Sequence, residues 1–373
     1  MFPKKVTSFF VRRYISVFNK KRVIPLDEFQ GDIYRILVIS NTALGDTIMS
    51  TPAVKSIKMS FPRAKIVCLI HRNYVDLFSN MSIIDKIIPY YGGYKRFFST
   101  ITHIKEEKYD ACLILHGNSP QDIEIALLSG AKIILKSKPN RDSMAYLSYV
   151  QKELPIHAIR KRLLLVKLMG GEKFTEKMEI GELNNKTFLK RAERSISNRE
   201  GIIIGFQLGA SHWSRAWPPE YFSNLAELIS QNFEKFKIVL FGNKNEQKLA
   251  DLFFKHVKKY FCEKIIDLTG KLSIAELPYY LKRLDLLVTP DTGPLHLAIA
   301  LKVPTVSLFA LSKPEDTGPI QDLEIHKVIF KPEGLKYLKK KRKDNTNEAM
   351  KLITPKEVMY AIEEIIQRRV SCV

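Results

Sequence analysis

The chain alternates between short apolar segments and helix-like segments, and it completes this alternation in two successive runs. The apolar segments predict strands at residues 34–40, 64–71, 85–90, 110–116 and 131–136 in the first run and at 201–209, 237–243, 264–270, 284–290 and 303–309 in the second. The helices of the second run are predicted at 219–233, 245–259, 273–283 and 293–302. Because such alternation favours a mostly parallel sheet with helices on both faces, the pattern predicts an α/β fold.

The two runs predict two doubly wound domains that face each other across a cleft. A polar and charged stretch, 172–200, separates the runs and is expected to contain the interdomain connection. The chain is accordingly divided into a basic N-terminal segment, 1–30, a first domain, 31–175, a second domain, 195–350, and a closing helix, 351–373, that starts at Thr354 or Pro355. Ligands of such sheets bind beyond the carboxyl ends of the strands, so site residues are expected in the strand-to-helix loops.

An excess of positive charge is the most unusual property of the composition, with a formal net charge of +21. Residues 1–22 carry seven basic side chains and no acidic one, and four of their apolar residues fall at helical spacing: Phe10, Tyr14, Val17 and Phe18. A basic amphipathic helix of this kind is typical of proteins that lie on an anionic membrane surface. A second basic cluster spans 336–344. The alternative interpretation of both clusters is a solvated basic surface.

Several classes of protein are disfavoured by features that the sequence lacks. No apolar run is long enough to span a bilayer, and Arg12 and Arg13 interrupt the N-terminal apolar stretch, which argues against a secretory signal. The four cysteines are scattered, so buried reduced thiols at Cys68 and Cys112 are expected in place of a zinc site. The strand-to-helix turns contain no GxGxxG, P-loop or GxSxG motif, and no zinc-finger or RNP-like motif supports a nucleic-acid partner.

The loop after the first strand places an acidic residue next to a glycine. Gly45 permits a tight turn, and Asp46 then stands at or near the N-cap of the following helix. Helix capping by itself accounts for the aspartate. The functional alternative is a general base, because an ionised carboxylate accepts a proton from a well-placed hydroxyl.

The loop after the first strand of the second run combines small residues with one fixed cation. Gly209, Ala210 and Ser211 are small enough to bring backbone N–H groups close to a ligand. Arg215 suits a diphosphate, because its planar guanidinium donates two hydrogen bonds at once. The alternative is a surface arginine stacked on a neighbouring tryptophan, Trp213 or Trp217.

A third loop, in TPDTGPLHLAIA, leads from a strand into an apolar helix. Asp291 and Thr292 are predicted to cap that helix, and Gly293 lets a ligand approach the backbone at a helix N-terminus, where free N–H groups bind phosphate. The carboxylate of Asp291 is expected to accept backbone N–H groups and hold the loop in shape. His296 lies one turn further and could bond a phosphate or a ribose.

Together, the three loops resemble the signature blocks of glycosyltransferase family 9, the heptosyltransferases of the lipopolysaccharide inner core. The blocks are ILVISNTALGDTIMSTPAVKSIK, GASHWSRAWPPEYFSNLAELI and VTPDTGPLHLAIALKVPTVSLF, and they occur in the family's order. The resemblance implies a GT-B fold of two Rossmann-like domains with the donor bound mainly by the second. It also implies an inverting transfer that requires neither a metal nor another cofactor.

The resemblance further implies roles for individual residues. Asp46 corresponds to the base that deprotonates the acceptor hydroxyl. The implied donor-binding residues are Ser211, Arg215, Glu246, Leu272, Asp291, Thr292, Gly293 and His296. Among them, Glu246 corresponds to a residue that meets the ribose or base, and Leu272 to one that lines the adenine pocket. Two positions depart from the family pattern, since Arg215 replaces a lysine and Ala310 replaces a glycine.

The function expected from the sequence is the metal-independent transfer of a heptose from ADP-heptose to an anionic lipopolysaccharide inner-core acceptor. The protein is expected on the cytoplasmic face of the inner membrane, bound peripherally through its basic segments. Candidate acceptor contacts lie at 71–73, 91–96 and 116–118. The alternatives are a family member that uses another nucleotide sugar for a different surface glycan, and a non-catalytic protein that binds sugar nucleotides or membranes.

Overall fold

The chain forms two compact units, Met1–Glu182 and Leu183–Val373. The computed structural model describes Val11, Arg13 and residues 23–117, 119–138, 147–197, 201–339 and 346–371. The basic N-terminal segment, 1–30, therefore lies outside the described residues except at Val11, Arg13 and 23–30, and so does most of the second basic cluster. Val11 is buried in the apolar core of the first unit, whereas Arg13 is exposed.

The first unit contains a six-stranded parallel sheet. Its strands are β1 (Arg35–Ser40), β2 (Lys65–His71), β3 (Lys86–Tyr90), β4 (Ala111–His116), β5 (Ile133–Lys136) and β6 (Tyr149–Val150). Their order in the sheet is β3-β2-β1-β4-β5-β6. Five of them lie within the predicted ranges, and the two-residue β6 was too short for its sequence to predict.

The helices of the first unit follow the strands in alternation, as their pattern predicts. They are α1 (Leu44–Ile48), α2 (Thr51–Ser60), α3 (Val75–Phe78), α4 (Phe97–Lys105), α5 (Pro120–Leu128) and α6 (Ala158–Leu168), with short 3-10 turns at Leu26–Glu28 and Arg72–Tyr74. The four apolar residues of β1, Ile36 to Ile39, are almost fully buried. A strand buried along its whole length is typical of a parallel sheet covered on both faces.

The second unit contains another six-stranded parallel sheet. Its strands are β7 (Ile202–Gln207), β8 (Phe236–Phe241), β9 (Ile265–Asp267), β10 (Leu286–Pro290), β11 (Thr305–Phe309) and β12 (His326–Phe330), in the order β12-β11-β10-β7-β8-β9. The sequence analysis did not predict β12. This strand lies at the edge of the sheet and its Val328 is exposed, so it lacks the continuous apolar run of the central strands.

The helices of the second unit include three that were not predicted from the sequence. They are α7 (Lys186–Ser195), α8 (Pro219–Asn232), α9 (Gln247–His256), α10 (Leu277–Leu281), α11 (Gly293–Ala300), α12 (Pro314–Thr317), α13 (Glu348–Lys351) and α14 (Pro355–Ser371). Short 3-10 segments lie at Trp213–Arg215, Lys244–Glu246, Lys259–Lys264, Leu323–Ile325 and Pro332–Lys339. The helices that were not predicted are the four-residue α12 and α13 and the longer α7. The sequence of α7 was interpreted as a polar connection, since Ala192 is its only buried residue.

Both sheets have the doubly wound strand order 3-2-1-4-5-6, counted within each unit. In this order the chain reverses direction between the first and fourth strands, which opens a crevice at the carboxyl ends of these strands. The crevice lies between β1 and β4 in the first unit and between β7 and β10 in the second. Each unit therefore has one topologically defined place for a ligand.

Two further findings concern membrane-spanning helices and the cysteines. No helix among the described residues is long and apolar enough to cross a membrane. Cys68 and Cys112 are free and buried, as expected, and burial raises the pKa of the Cys68 thiol to about 12. Such thiols are inert members of the core.

Candidate active site

Asp46 belongs to α1, which starts at the carboxyl end of β1 in the crevice of the first unit. The N-cap position of this helix is Ala43, and Asp46 is the third helical residue. Its carboxylate meets two side chains through the same oxygen: Nη2 of Arg162 donates to Oδ1 at 3.2 Å, and Nε2 of His116 lies 3.3 Å from Oδ1. The capping interpretation of Asp46 is therefore wrong, because its partners are side chains from other elements.

His116 ends β4, directly across the crevice from the Asp46 loop. Its Nδ1 lies 2.8 Å from Oγ1 of Thr42, and its Nε2 faces Asp46. Burial lowers the pKa of His116 to about 4; nearby Arg162 acts in the same direction and Asp46 in the opposite one. The ring is therefore neutral at pH 7. In a neutral ring whose Nε2 faces a carboxylate, Nε2 carries the proton. Nδ1 then accepts a hydrogen bond from the Thr42 hydroxyl.

Arg162 is a fully buried cation on α6. Its Nη2 pairs with Asp46, whereas Nε and Nη1 are buried without a hydrogen-bond partner among the described residues. Sequence reasoning missed this residue, although a signal was present. Ile159 and Val166 lie on the same helical face at i−3 and i+4, so Arg162 interrupts an apolar stripe. A cation at a core position needs a partner elsewhere in the fold.

The loop after His116 rests on a buried polar network. Asp122 accepts a hydrogen bond from Nδ2 of Asn41 at 2.8 Å, and burial raises the pKa of Asp122. Nζ of Lys136 donates to the carbonyl oxygen of Gly117. A Cβ atom at Gly117 would collide with Oδ2 of Asp122, so a larger residue there would displace this carboxylate. This network fixes the backbone that presents His116.

A cationic cluster lies beyond the carboxyl ends of β2 and β3 in the first unit. The guanidinium carbon of Arg96 lies 4.5 Å from the ring centroid of Tyr91, and that of Arg72 lies 5.7 Å from the same centroid. Nη1 of Arg96 also donates to the Tyr91 hydroxyl at 3.0 Å. Both arginines are exposed, and Arg96 is one of the few non-glycine residues with a positive φ, at 52°. The two candidate acceptor loops that contain these residues are thus joined by one aromatic ring.

The second unit also places an aspartate in its crevice, at the end of β10. Nη2 of Arg215 donates to the carboxylate of Asp291 and, at 2.9 Å, to its carbonyl oxygen. Oγ of Ser312 donates to Oδ2 at 2.7 Å, and Nε2 of His296 lies 3.7 Å from Oδ1. Burial opposes ionisation of Asp291, but His296, Arg215 and Ser312 outweigh it and lower the pKa to about 2.

Two expectations about this loop are wrong. The carboxylate of Asp291 caps no helix and accepts no backbone N–H, since side chains occupy it. Thr292 occupies the N-cap position of α11, but its side chain makes no capping bond, and its Oγ1 lies 3.0 Å from Oγ1 of Thr289. Gly293 starts the helix as predicted. Pairing with Arg215 thus shapes the loop in place of capping.

The alternative in which Arg215 stacks on Trp213 or Trp217 does not match the structure. Trp217 is fully buried, and its Nε1 donates to the carbonyl oxygen of Ile353 at 3.0 Å. No cation–π contact between Arg215 and Trp213 or Trp217 occurs among the described residues. Arg215 instead pairs with Asp291 and remains partly exposed.

Glu246 and Leu272 lie in two adjacent loops of the second unit. A Cβ atom at Gly209 would collide with the Glu246 carboxylate, which also accepts the backbone N–H of Asn243 at 2.7 Å. Burial raises the pKa of Glu246. Leu272 is half-buried in the loop after β9. Glu246 thus contacts the glycine of the Ser211 loop.

The structure therefore joins some of the predicted residues and leaves others apart. Arg215, Asp291 and His296 form one contact cluster, with Thr292 and Gly293 adjacent in the chain. Ser211 is exposed. Sequence reasoning missed Ser312, which follows the departure at Ala310 by two residues. No group of three or more His, Cys, Asp or Glu side chains suited to a metal ion occurs among the described residues.

Comparison with known proteins gives a consistent family match. The model of glycosyltransferase family 9 (heptosyltransferase) matches residues 98–348. A lipopolysaccharide heptosyltransferase 1 of Campylobacter coli is 24% identical over 89% of this chain and 98% of its own length. A lipooligosaccharide heptosyltransferase 2 of Campylobacter jejuni is 26% identical over 89% of this chain and 98% of its own length.

Solved structures of related proteins share the fold. A family 9 glycosyltransferase from Veillonella parvula has a TM-score of 0.76 at 21% identity, covering 91% of this chain and 99% of its own. The ADP-heptose lipopolysaccharide heptosyltransferase II of Escherichia coli has a TM-score of 0.73 at 19% identity, covering 90% and 99%. The predicted GT-B fold class is confirmed by these matches and by the two parallel sheets.

Proposed function

This chain belongs to glycosyltransferase family 9 and is a glycosyltransferase, and from that premise we propose that it transfers a heptose from ADP-heptose to a lipopolysaccharide inner-core acceptor. We propose further that the transfer inverts the anomeric centre and requires no metal. The observation that carries the proposal is the carboxylate of Asp46, which lies in the crevice of the first unit, partly exposed and bound to side chains through one oxygen only. The names of the relatives support heptose as the sugar.

In the proposed reaction Asp46 is the general base. It accepts the proton of the acceptor hydroxyl, and the electron pair of that O–H bond forms the new bond to the anomeric carbon. The bond between the anomeric carbon and the diphosphate oxygen breaks, and its electrons leave with ADP. A positioned base contributes about 10²- to 10⁴-fold to the rate of such a step.

The proposed donor site is the crevice of the second unit. The N-terminus of α11, at Gly293, offers free backbone N–H groups to the diphosphate. Arg215 adds a partly exposed cation whose direction is set by Asp291. Glu246 and Leu272, in their adjacent loops, are proposed to meet the ribose and the adenine. The leaving diphosphate gains negative charge, which the helix terminus and the guanidinium stabilise.

The acceptor is proposed to be anionic. Arg72 and Arg96, held together by the Tyr91 ring, offer two exposed guanidinium groups beyond the same edge of the sheet that carries Asp46. Guanidinium groups bind carboxylates and phosphates in a bidentate manner, and the inner core of lipopolysaccharide carries both kinds of group. This pairing gives part of the +21 net charge a use in substrate binding.

Peripheral attachment to the cytoplasmic face of the inner membrane is proposed from the charge of the chain. The formal net charge is +21, and the exposed Arg13 belongs to the basic N-terminal segment. We expect the full-length protein to co-sediment with vesicles that contain anionic phospholipid and not with phosphatidylcholine vesicles. Added salt should release it, because the attraction is electrostatic. Equal binding to both kinds of vesicle, or to neither, would contradict this part of the proposal.

The proposed function is tested first through the donor. Calorimetric titration with ADP, UDP and GDP, in the presence of EDTA, should show clear binding of ADP only. Preference for UDP or GDP would retain the fold but replace the sugar nucleotide. No binding of any of the three would contradict the catalytic proposal and favour a non-catalytic role.

Transfer is then measured directly. ADP-heptose is incubated with the protein and with each of two acceptors, a lipopolysaccharide core without heptose and a core that carries one heptose. Mass spectrometry should show the addition of one heptose to one of the two acceptors, with and without EDTA. Activity that EDTA abolishes would contradict metal independence, and activity on neither acceptor would contradict the choice of acceptor.

A further inference from the structure

The carboxylate of Asp46 uses its two oxygens unequally. Oδ1 meets both Nη2 of Arg162 and Nε2 of His116. Oδ2 has no hydrogen-bond or ion-pair partner among the described residues, and the side chain is 24% exposed. One oxygen is thus held by the protein while the other is available to a substrate.

The burial of Arg162 is costly in free energy if its role is only structural. Two of its three guanidinium nitrogens are buried without a partner among the described residues. Replacing a buried ion pair by well-packed apolar side chains is often neutral or stabilising, so a buried pair is weak evidence for a stabilising role. An incompletely bonded buried cation therefore requires another explanation, and its single partner is Asp46.

His116, at the end of β4, lies next to the same carboxylate oxygen of Asp46, Oδ1. With its proton on Nε2, the neutral ring places that nitrogen 3.3 Å from Oδ1, while Nδ1 lies 2.8 Å from the Thr42 hydroxyl and accepts from it. The Thr42 contact sets the tautomer and the orientation of the ring. His116 also adds no charge near pH 7, so Arg162 is the charged partner of Asp46.

We propose that Arg162 and His116 are positioning residues that hold Asp46 through Oδ1, so that Oδ2 is the atom that takes the proton from the acceptor hydroxyl. The inference rests on the proposed function, in which Asp46 is the base. The O–H bond of the acceptor breaks, its proton moves to Oδ2, and its electron pair forms the glycosidic bond as the diphosphate leaves. Neither Arg162 nor His116 gains or loses a proton.

The groups that face Asp46 come from three elements. Arg162 extends from α6, His116 ends β4, and Tyr74 lies in the 3-10 turn after β2. Burial raises the pKa of the Tyr74 phenol, and the Asp46 charge acts in the same direction. Lys136 and Lys138 act on His116 and help keep it neutral. Arg162 is the only cation of the described residues that pairs with the carboxylate.

The first test compares Arg162→Met with Arg162→Lys, in full-length protein with ADP-heptose and the acceptor that the wild type uses. The methionine removes the cation but keeps the apolar stem. We expect kcat to fall about 100-fold, since misplacing a base by about 1 Å has an effect of this size.

The lysine variant should recover only part of kcat, because it restores the cation but not the planar guanidinium. KM for ADP-heptose should change less than twofold in both variants. The matched control is Arg160→Met, which lies on the same helix but pairs with Glu176 at an exposed position. It should retain the kcat of the wild type. An Arg162→Met enzyme that keeps the wild-type kcat would overturn the role assigned to Arg162.

The second test uses His116, in case Arg162→Met does not fold. His116→Gln can keep an N–H donor near the position of Nε2, whereas His116→Phe keeps only the ring volume. We expect the glutamine variant to retain at least ten times the kcat of the phenylalanine variant, with equal ADP affinity and equal melting temperatures. Equal kcat values for the two variants would overturn the role of His116.

These results separate the inference from the proposed function. A wild-type protein that transfers no sugar contradicts the proposed function itself. An active wild type whose activity is lost in Asp46→Asn, but whose Arg162 and His116 variants keep the wild-type kcat, supports the proposed function and contradicts only the positioning roles.

Discussion

The two units carry the same three residue types in their crevices but expose opposite members of the set. In the first unit Asp46 is 24% exposed and its partner Arg162 only 2%. In the second unit Asp291 is 8% exposed and its partner Arg215 is 26%. A histidine lies beside each carboxylate, His116 in one case and His296 in the other.

The difference shows how one topology supports two kinds of chemistry. In each pair the buried member orients the exposed one, and the exposed member is available to a ligand. The first unit therefore presents a carboxylate, which suits a base, while the second presents a guanidinium, which suits a diphosphate. The histidines differ accordingly: the ring of His116 is partly exposed, whereas that of His296 is buried with its Nδ1 unpaired among the described residues.

The largest effect on activity is expected from the replacement of Asp46, the exposed carboxylate. Asp46→Asn should reduce kcat about 1000-fold, because an amide cannot accept the hydroxyl proton. The affinity for ADP should remain within twofold, since the proposed donor residues belong to the second unit. Kinetics and calorimetry on the same preparation measure both. Asp76→Asn, an exposed aspartate of the first unit, serves as the control and should behave as the wild type.

Replacement of Asp291, the buried carboxylate, should lower the stability of the folded state. The pKa of Asp291 is lowered from 3.8 to about 2, so its ionisation stabilises the folded state by about 2 kcal/mol. This stabilisation is complete above about pH 4 and is lost as the pH falls towards 2, because the folded pKa is the lower one. Asp291→Asn should therefore lower the unfolding free energy at pH 7 by about 2 kcal/mol and by less at pH 3.

Denaturant titrations of the second unit's transition at both pH values measure this difference. The matched control is Asp251→Asn, an exposed aspartate on α9, which should show no significant change at either pH. A destabilisation of Asp291→Asn that is equal at pH 7 and pH 3 would show that packing, and not charge, accounts for the effect.

The exposed cation should affect donor affinity more moderately. Arg215→Met should weaken ADP binding about 20-fold, which corresponds to the loss of one hydrogen bond to a charged group. Arg215→Lys should recover part of the affinity, since the charge remains but the planar fork is lost. Calorimetry with ADP measures both variants. Unchanged affinity in Arg215→Met would mean that the guanidinium serves Asp291 alone.

The smallest effect is expected from the hydroxyl that supports the buried carboxylate. Ser312→Ala removes the 2.7 Å bond to Asp291 and should reduce ADP affinity roughly fivefold, because Arg215 is then held less firmly. Ser312→Thr retains the hydroxyl and should stay close to the wild type. If the alanine variant binds ADP as tightly as the wild type, Arg215 alone is sufficient to hold Asp291.

Much of the fold could be predicted from local patterns. All ten predicted strands are present, because the continuous apolar run of a central strand is a local property of the sequence. The two missed strands, β6 and β12, lie at sheet edges, where a strand is short or half exposed. The missed α7 buries one residue only, so its charged sequence resembled a linker.

The sequence predicted which loops carry the candidate site, but it did not predict which side chains contact each other there. Asp46 and Asp291 were each interpreted as possible helix caps, since an aspartate before a helix usually caps it. Both instead pair with arginines far away in the sequence. Arg162 was missed altogether, because a single sequence shows the unusual position of a buried cation but not its partner.

The sequence by itself determined the alternation of strands and helices, the family resemblance and the three loops that carry the candidate site. These features depend on residues close together in the chain, whose spacing sets the period and the turns. Only the tertiary structure decided which cation meets which carboxylate and which member of each pair is exposed. Arg162 is 116 positions from Asp46, and Arg215 is 76 positions from Asp291. Packing of whole helices and strands brings such residues together, and burial then decides which of the two charges faces the solvent.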